Sequence, residues 1–262
     1  MSEHTLTVDI RPQPDDETCG PTCLHAVYQY WNDGISLTDV IESFRTVTDK
    51  GQGTLAVMLG VDALRREYRA HLFTFNVQVF DPTWFDKRGD ASAERLTDKL
   101  TRQLEAKSKS EKQPADSRIG VATASYLEFL RLGGQIHFRE LNSVLISRLL
   151  RERGPILTGL SATYLYRCAR EFGPSDVYDD IRGEPTGHFV VINGFNPVKR
   201  QVSISDPLAD NPGFASQHYQ VPMSRLIASI MLGVLTYDAN LLVIEPEKKP
   251  TPLNQKTNRG DQ

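Results

Sequence analysis

The amino-acid sequence predicts an α+β fold, in which a helical N-terminal half packs on an antiparallel sheet from the C-terminal half. Apolar residues of the first half recur at helical spacing, for example between Cys19 and Trp31. The second half contains short apolar runs typical of strands, and the turn-forming segment 196–200 joins two of them. We expect one domain over residues 1–245 and a disordered tail over 246–262.

The elements are expected in the following order. An extended segment containing Pro12 and Pro14 leads into a first helix, with Thr18 as its predicted N-cap and 32–34 as its end. Further helices are predicted over 36–44, 55–68, 121–132 and 141–151, and strands over 72–77, 136–138, 155–160, 188–195, 201–205 and 240–244. The charged region 86–112 is predicted to be an exposed helix that trails into a mobile segment over 107–117.

Composition excludes several function classes. A net charge of -3 argues against a nucleic-acid binder that relies on bulk charge. No apolar run approaches the length of a membrane span, and the N-terminus lacks the pattern of a secretory signal, so a cytoplasmic location without a membrane partner is expected. The three cysteines indicate neither a disulfide framework nor a zinc site, and no metal or cofactor is expected.

The segment from Gln13 to Leu24 has the parts of a cysteine nucleophile. Cys19 stands where a loop becomes a helix, and a helix N-terminus stabilises a thiolate through its free N–H groups and its dipole. The backbone N–H of Cys19 and the side chain of Gln13 are candidate donors to an oxyanion. Cys19 is therefore the predicted nucleophile.

A candidate base and its orienting carboxylate follow downstream. His188 begins an apolar strand, and Asp206 ends another strand just before Pro207. An imidazolium at His188 would stabilise the thiolate, and Asp206 would hold the imidazole ring in the required tautomer. Asn193 and Asn196 are the alternative orienting residues, and His137 and His218 are the competing bases.

These motifs, taken together, resemble those of the papain-like family-39 cysteine peptidases, which remove double-glycine leaders from bacteriocins and have many stand-alone relatives. The matching residues are Gln13, six residues before Cys19, then His188 at the head of a strand, and Asp206 before a proline. The resemblance implies a papain-like fold. It also implies a Cys19–His188–Asp206 triad with Gln13 supporting the oxyanion hole. The regions 86–117 and 163–185 are long additions to the family's pattern.

The predicted function is hydrolysis of a peptide or isopeptide bond in a peptide or protein substrate, through an acyl-enzyme. One alternative is acyl transfer to an amine or thiol by the same triad, and another is an inactive peptide-binding module. Of the remaining residues, Cys23 and Cys168 are expected to pack in the protein, and His25 is expected to be solvated. The segment 163–185 could hang over the cleft as an aromatic wall or as an acidic lid that favours a basic substrate.

Overall fold

The computed structural model describes residues 3–45, 54–110, 118–173, 177–236 and 238–247. Its strands are β1 (His4–Thr5), β2 (Tyr68–Thr74), β3 (Gln135–His137), β4 (Ile156–Ser161), β5 (Glu171–Phe172), β6 (Val177–Tyr178), β7 (Gly187–Asn196), β8 (Gln201–Ser205), β9 (His218–Pro222) and β10 (Asn240–Pro246). Eight of these form one sheet in the order β3-β2-β10-β4-β7-β8-β9, with β1 also paired to β7. Neighbouring strands in this sheet are antiparallel, except for β2 and β3, which are parallel.

Helices account for much of the remaining described chain. They are α1 (Cys19–Tyr30), α2 (Leu37–Arg45), α3 (Ala56–Arg65), α4 (Ala93–Ser110), α5 (Arg118–Arg131), α6 (Ser143–Glu152), α7 (Ala162–Tyr166) and α8 (Met223–Leu232), with 3₁₀ turns at Pro82–Trp84 and Gly233–Thr236. The combination of helices with a largely antiparallel sheet confirms the predicted α+β class.

Two apolar clusters, one on each face of the sheet, make up the core. Leu72 and Leu242 belong to the cluster that includes α1, α3 and α5, whereas their neighbours Phe73 and Val243 belong to the cluster that includes α6 and α8. This division follows from the alternation of side chains along a strand. Helices therefore cover both faces, and the predicted separation into a helical half and a strand half is too strict.

The boundary between α3 and β2 differs from the prediction. The predicted helix continued to residue 68, but α3 ends at Arg65 and β2 begins at Tyr68. Glu67 has a φ of 63°, a left-handed conformation that cannot continue a right-handed helix. This single residue turns the chain into the sheet, where β2 pairs with β10 along its whole length.

The charged region is helical only in part. α4 begins at Ala93, because the preceding turn is held by the Asp86 carboxylate, which accepts hydrogen bonds from the N–H groups of Arg88 and Asp90. Leu96 and Leu100 are fully buried, so this helix is anchored rather than wholly exposed. Residues 111–117 of the predicted mobile segment, and residues 248–262 of the predicted tail, lie outside the described residues.

Candidate active site

Cys19 is the first residue of α1. Thr18 occupies the N-cap position, but its side chain makes no capping bond and its hydroxyl instead donates to the carbonyl of Asp15 at 3.0 Å. The first turn carries no acidic residue, and Pro21 fits there because its missing N–H needs no partner. The N-terminal end of α1 is thus left with uncapped N–H groups beside the half-buried Cys19 thiol.

His188 and Asp206 meet through the pairing of β7 with β8. Val191 faces Ser205 in this antiparallel pair, so the start of β7 lies beside the end of β8. His188 Nε2 lies 2.8 Å from Asp206 Oδ1, and both side chains are buried. The sheet register therefore sets the contact between the predicted base and its predicted orienting carboxylate.

The electrostatics of this contact favour an imidazolium–carboxylate pair. Burial by itself lowers the pKa of His188, but attraction to Asp206, the hydrogen bond with Asp206 and a hydrogen bond with Cys19 together raise it to about 10. Burial likewise raises the pKa of Asp206, and the charge and hydrogen bond of His188 outweigh that effect and lower it. At neutral pH the pair is charged.

The structure thus brings Cys19, His188 and Asp206 together. Because His188 Nε2 is engaged with Asp206, the other ring nitrogen, Nδ1, is the one available to the Cys19 sulfur. This is the arrangement in which a histidine can exchange a proton with a thiol while a carboxylate fixes its tautomer. The roles of the three residues in a reaction stay predictions.

Gln13 reaches the same region through its backbone. Its N–H donates to the carbonyl of Pro207 at 2.9 Å, which ties the lead-in segment to the residue after Asp206. Its side-chain Nε2 donates to the carbonyl of Asp15 at 3.0 Å, and its Oε1 is buried with no hydrogen-bond partner among the described residues. One amide N–H of Gln13 is thus engaged within the loop, and the role of Gln13 as an oxyanion donor stays a prediction.

The other two cysteines have different surroundings. Cys23, one turn further along α1, is fully buried and donates its S–H to the carbonyl of Phe189 at 3.3 Å. Burial, followed by the nearby Cys19 and Asp206, raises the pKa of Cys23 well above its usual value. Burial is also the largest contribution to the raised pKa of Cys168. Both thiols therefore resist ionisation, which agrees with the packing role expected for them.

The competing histidines belong to other contacts. His137 lies on β3, at the far edge of the sheet order, with Nδ1 2.7 Å from Asp90 Oδ1 and Nε2 3.3 Å from His71 Nδ1. His218 Nδ1 lies 3.1 Å from the Ser205 hydroxyl. Neither contact involves Cys19, so His188 is the only one of the three candidate bases that the structure links to this thiol.

The expectation that His25 is solvated is wrong. Its side chain is only 3% exposed, because α1 packs against both α2 and β7. Burial lowers the pKa of His25, and the charge of Arg11 lowers it further. This burial was not predictable from the helical pattern, since helix periodicity alone does not show that a second helix covers the polar face.

Two tyrosines beside Asp206 were missed as site residues. Tyr166 and Tyr219 both donate their hydroxyls to Asp206 Oδ2, at 2.8 and 2.5 Å. Tyr166 belongs to segment 163–185, for which an exposed aromatic wall is one expectation, but it is buried. Tyr219 lies on β9, for which no strand was predicted. The sequence could have indicated Tyr219 only if β9 had been recognised as a strand, because the alternation of side chains along β9 directs Tyr219 towards the site.

The rest of segment 163–185 carries the exposed aromatic and aliphatic side chains. Phe172, Val177, Tyr178 and Ile181 are exposed on or beside the β5–β6 hairpin. The Thr186 hydroxyl donates to Glu171 Oε2 at 2.7 Å, which fixes the hairpin two residues before His188. Asp179 is paired with Arg182 at 2.6 Å, so its charge is already compensated within the segment and does not support the acidic lid.

The raised pKa of His188 predicts a loss of stability in alkaline solution. The folded protein retains the imidazolium proton up to about pH 10, whereas an unfolded histidine releases it near 6.5. The contribution of this charged pair to the free energy of unfolding should therefore be fully present below pH 6.5 and should be lost as the pH rises towards 10. Urea unfolding across this range measures the slope. His188→Gln should flatten it, and an equal slope in both proteins would contradict the charged pair.

The described residues contain neither a candidate metal site nor a candidate membrane span. No group of three or more histidine, cysteine, aspartate or glutamate side chains is arranged there to hold a metal ion. No helix in the same residues has both the length and the apolar character needed to cross a membrane.

Comparison with known proteins gives little further information. No protein-family model matches the chain, and no curated protein matches it. Among solved structures, the chain is similar to xylellain, a cysteine protease from Xylella fastidiosa. The identity is 14%, the match covers 95% of this chain and 87% of that one, and the TM-score is 0.38. A TM-score this low does not establish a shared fold.

Proposed function

We propose that the chain is a papain-like cysteine peptidase that hydrolyses a peptide or isopeptide bond. The observation that carries the proposal is the buried His188–Asp206 pair, with the Cys19 thiol, at a helix N-terminus, also contributing to the raised pKa of His188. A charged imidazolium next to a thiol, with helix N–H groups beside it, is the environment that activates a sulfur nucleophile. The motif resemblance to the family-39 peptidases supports the same assignment.

The reaction would proceed in two steps. The Cys19 thiolate attacks the carbonyl carbon, His188 gives its proton to the leaving nitrogen, and the C–N bond breaks to leave a thioester. Water then attacks the thioester while His188 accepts one of its protons. The C–S bond breaks, the thiolate re-forms and the acid is released. Asp206 holds the ring and balances its charge throughout.

Gln13 and the backbone N–H of Cys19 are the proposed oxyanion donors. One N–H of the Gln13 amide already bonds to Asp15, so the second N–H or a rotated side chain would have to reach the oxyanion. The buried, unpartnered Gln13 Oε1 supports such a change, because the present orientation leaves a polar atom unsatisfied. Losing one donor of this kind costs about 3 kcal/mol of transition-state stabilisation.

Acyl transfer is the second candidate, because the same thioester can be attacked by an amine or a thiol instead of water. The candidate residues Cys19, His188 and Asp206 are all present, His188 pairs with Asp206, and Cys19 contributes to the raised pKa of His188, which favours either enzyme over an inactive peptide-binding module. The three cysteines are free thiols, and a reducing compartment such as the cytoplasm, which is the proposed location, suits a working thiol. The substrate is proposed to be a peptide or protein.

Digestion of a peptide mixture in heavy-oxygen water tests the proposal. A hydrolase should add one heavy oxygen to each new carboxyl terminus, and the Cys19→Ala variant should produce none of these peptides. As the concentration of glycylglycine is raised, a transferase should divert most of the product to the transfer peptide, whereas a hydrolase should still release mainly the free acid. If the Cys19→Ala variant formed labelled products as fast as the wild-type protein, the proposal would be contradicted.

We further propose that the β5–β6 hairpin selects the substrate. Replacing the exposed Tyr178 with serine should change KM or the preferred cleavage sites, while the rate of Cys19 alkylation by iodoacetamide stays at the wild-type value. Val198→Ser is the matched control, because Val198 is 89% exposed in the turn between β7 and β8. If Tyr178→Ser and Val198→Ser both leave the specificity unchanged, the selecting surface lies elsewhere.

A further inference from the structure

We propose that Tyr166 and Tyr219 are positioning residues for the reaction, which act together as a two-hydroxyl clamp on Asp206 and set the pH range in which Cys19 is reactive. This inference rests on the proposed function, since it assigns a role within the same site. Neither tyrosine is proposed to touch the substrate or the reacting atoms.

The clamp is a complete set of hydrogen bonds to one buried carboxylate. Asp206 is 0% exposed, and its Oδ2 accepts from the hydroxyls of Tyr166 and Tyr219 at 2.8 and 2.5 Å. Its Oδ1 lies 2.8 Å from His188 Nε2 and accepts from the backbone N–H of Leu208 at 2.9 Å. The carboxylate therefore cannot rotate without losing donors at both oxygens, and Oδ1 is held on the imidazole.

The two donors come from opposite sides of the site and are themselves supported. Tyr166 is at the end of α7, and Tyr219 lies on β9 next to β8. The ring of Phe214 stacks on Tyr219 with centroids 3.8 Å apart, and it meets Tyr166 edge-on at 6.3 Å. This aromatic packing fixes both rings, so the hydroxyls reach Asp206 with little freedom to turn away.

Both phenols stay protonated donors over the whole working pH range. Burial raises the pKa of Tyr166 and of Tyr219, and the charge of Asp206 raises both further. The other titratable groups that face this carboxylate are His188 from β7 and the thiols of Cys19 and Cys23 from α1. After His188, the hydrogen bonds from Tyr219 and from the backbone N–H of Leu208 are among the largest effects that lower the pKa of Asp206.

Donors on Oδ2 draw negative charge away from Oδ1. A carboxylate that accepts these two hydrogen bonds is less basic than a bare carboxylate, so it takes up a proton only at lower pH. It also stabilises the protonated imidazole and the protonated thiol less strongly than a bare carboxylate would. Removing a hydroxyl should therefore move the whole reactivity profile of Cys19 to higher pH. A tyrosine that merely filled space would change the amount of folded protein and leave the profile in place.

The test is the rate of Cys19 alkylation by iodoacetamide as a function of pH, with the labelled cysteine assigned by peptide mapping. Tyr166→Phe and Tyr219→Phe should each move the lower midpoint of the profile upward by about half to one pH unit, and the double variant should move it further. Tyr164→Phe is the matched control, since Tyr164 lies on the same helix and is 44% exposed. Its profile should coincide with that of the wild-type protein.

Fluorotyrosine placed at position 219 provides a variant of nearly unchanged shape. Its more acidic hydroxyl is a stronger donor, so the midpoint should move downward, opposite to Tyr219→Phe. Unchanged midpoints in Tyr219→Phe and in the fluorotyrosine protein would overturn the clamp while leaving the proposed function intact. Slow labelling of Cys19 in the wild-type protein itself, no faster than that of Cys168, would instead overturn the proposed function.

Discussion

Cys19→Ala is expected to abolish turnover while the protein stays folded. Removing a catalytic nucleophile lowers kcat by roughly 10⁴-fold or more, because no other group can form the covalent intermediate. Cys19 is half-buried at the start of α1, so the loss of its sulfur leaves the apolar core intact. Steady-state kinetics on a cleaved peptide, together with a thermal unfolding curve, measure the two effects separately.

Cys168→Ala is the matched control for this loss. Cys168 is also half-buried, but it packs against the other core cluster and has no contact with His188 in the described residues. Its variant should retain activity within about two-fold of the wild-type protein. Cys19→Ser should be almost as inactive as Cys19→Ala, since a hydroxyl is a far weaker acid. Substantial activity in either Cys19 variant would remove this residue from the mechanism.

Asp206→Asn is expected to have the second largest effect. An asparagine carries no charge to balance the His188 imidazolium, and when its NH2 group faces Nε2 it holds the ring in the tautomer whose Nδ1 already carries the proton. Comparable changes lower kcat by roughly 10⁴-fold. A partly exposed aspartate would tolerate the substitution with little change in stability. Because Asp206 is fully buried and accepts four hydrogen bonds, we expect a loss of about 2 kcal/mol in the free energy of unfolding.

Asp210→Asn is the control for the loss of a negative charge near the site. Asp210 is exposed and lies four residues further along the chain, so its variant should keep both the activity and the stability of the wild-type protein. Urea unfolding and kcat/KM, measured on both variants, separate the two effects. If Asp206→Asn kept full activity, Asn193 and Asn196 would have to be examined as orienting residues.

The sequence predicted the site better than it predicted the arrangement around it. Cys19, His188 and Asp206 are recognisable because each stands at the end of a helix or strand with a clear apolar pattern. Antiparallel pairing of β7 with β8 across a short turn then brings the last two together. Local signals of this kind suffice for His188 and Asp206 because few residues separate β7 from β8, whereas the approach of Cys19 joins distant parts of the sequence.

Features that depend on distant contacts were not predictable in the same way. The burial of His25 depends on α2, and the hydroxyl of Tyr166 meets Asp206 across 40 positions of sequence. Likewise, the sheet face that carries Phe73 and Val243 is covered because α6 and α8 pack on it, and this packing depends on contacts between distant parts of the chain. None of these contacts leaves a periodic pattern in the sequence.

Mass mapping of the cysteine that reacts with a thiol-directed peptide probe tests the central claim most directly. A peptide with an electrophilic carbonyl group at its C-terminus, such as a chloromethyl ketone, resembles an acyl donor and forms a stable bond with the attacking sulfur. We predict that the probe is found on Cys19 at near-neutral pH, and that Cys23 and Cys168, whose pKa values are raised by burial, remain unmodified. Equal modification of all three cysteines, or modification of Cys168 in preference to Cys19, would contradict the assignment of Cys19 as the nucleophile.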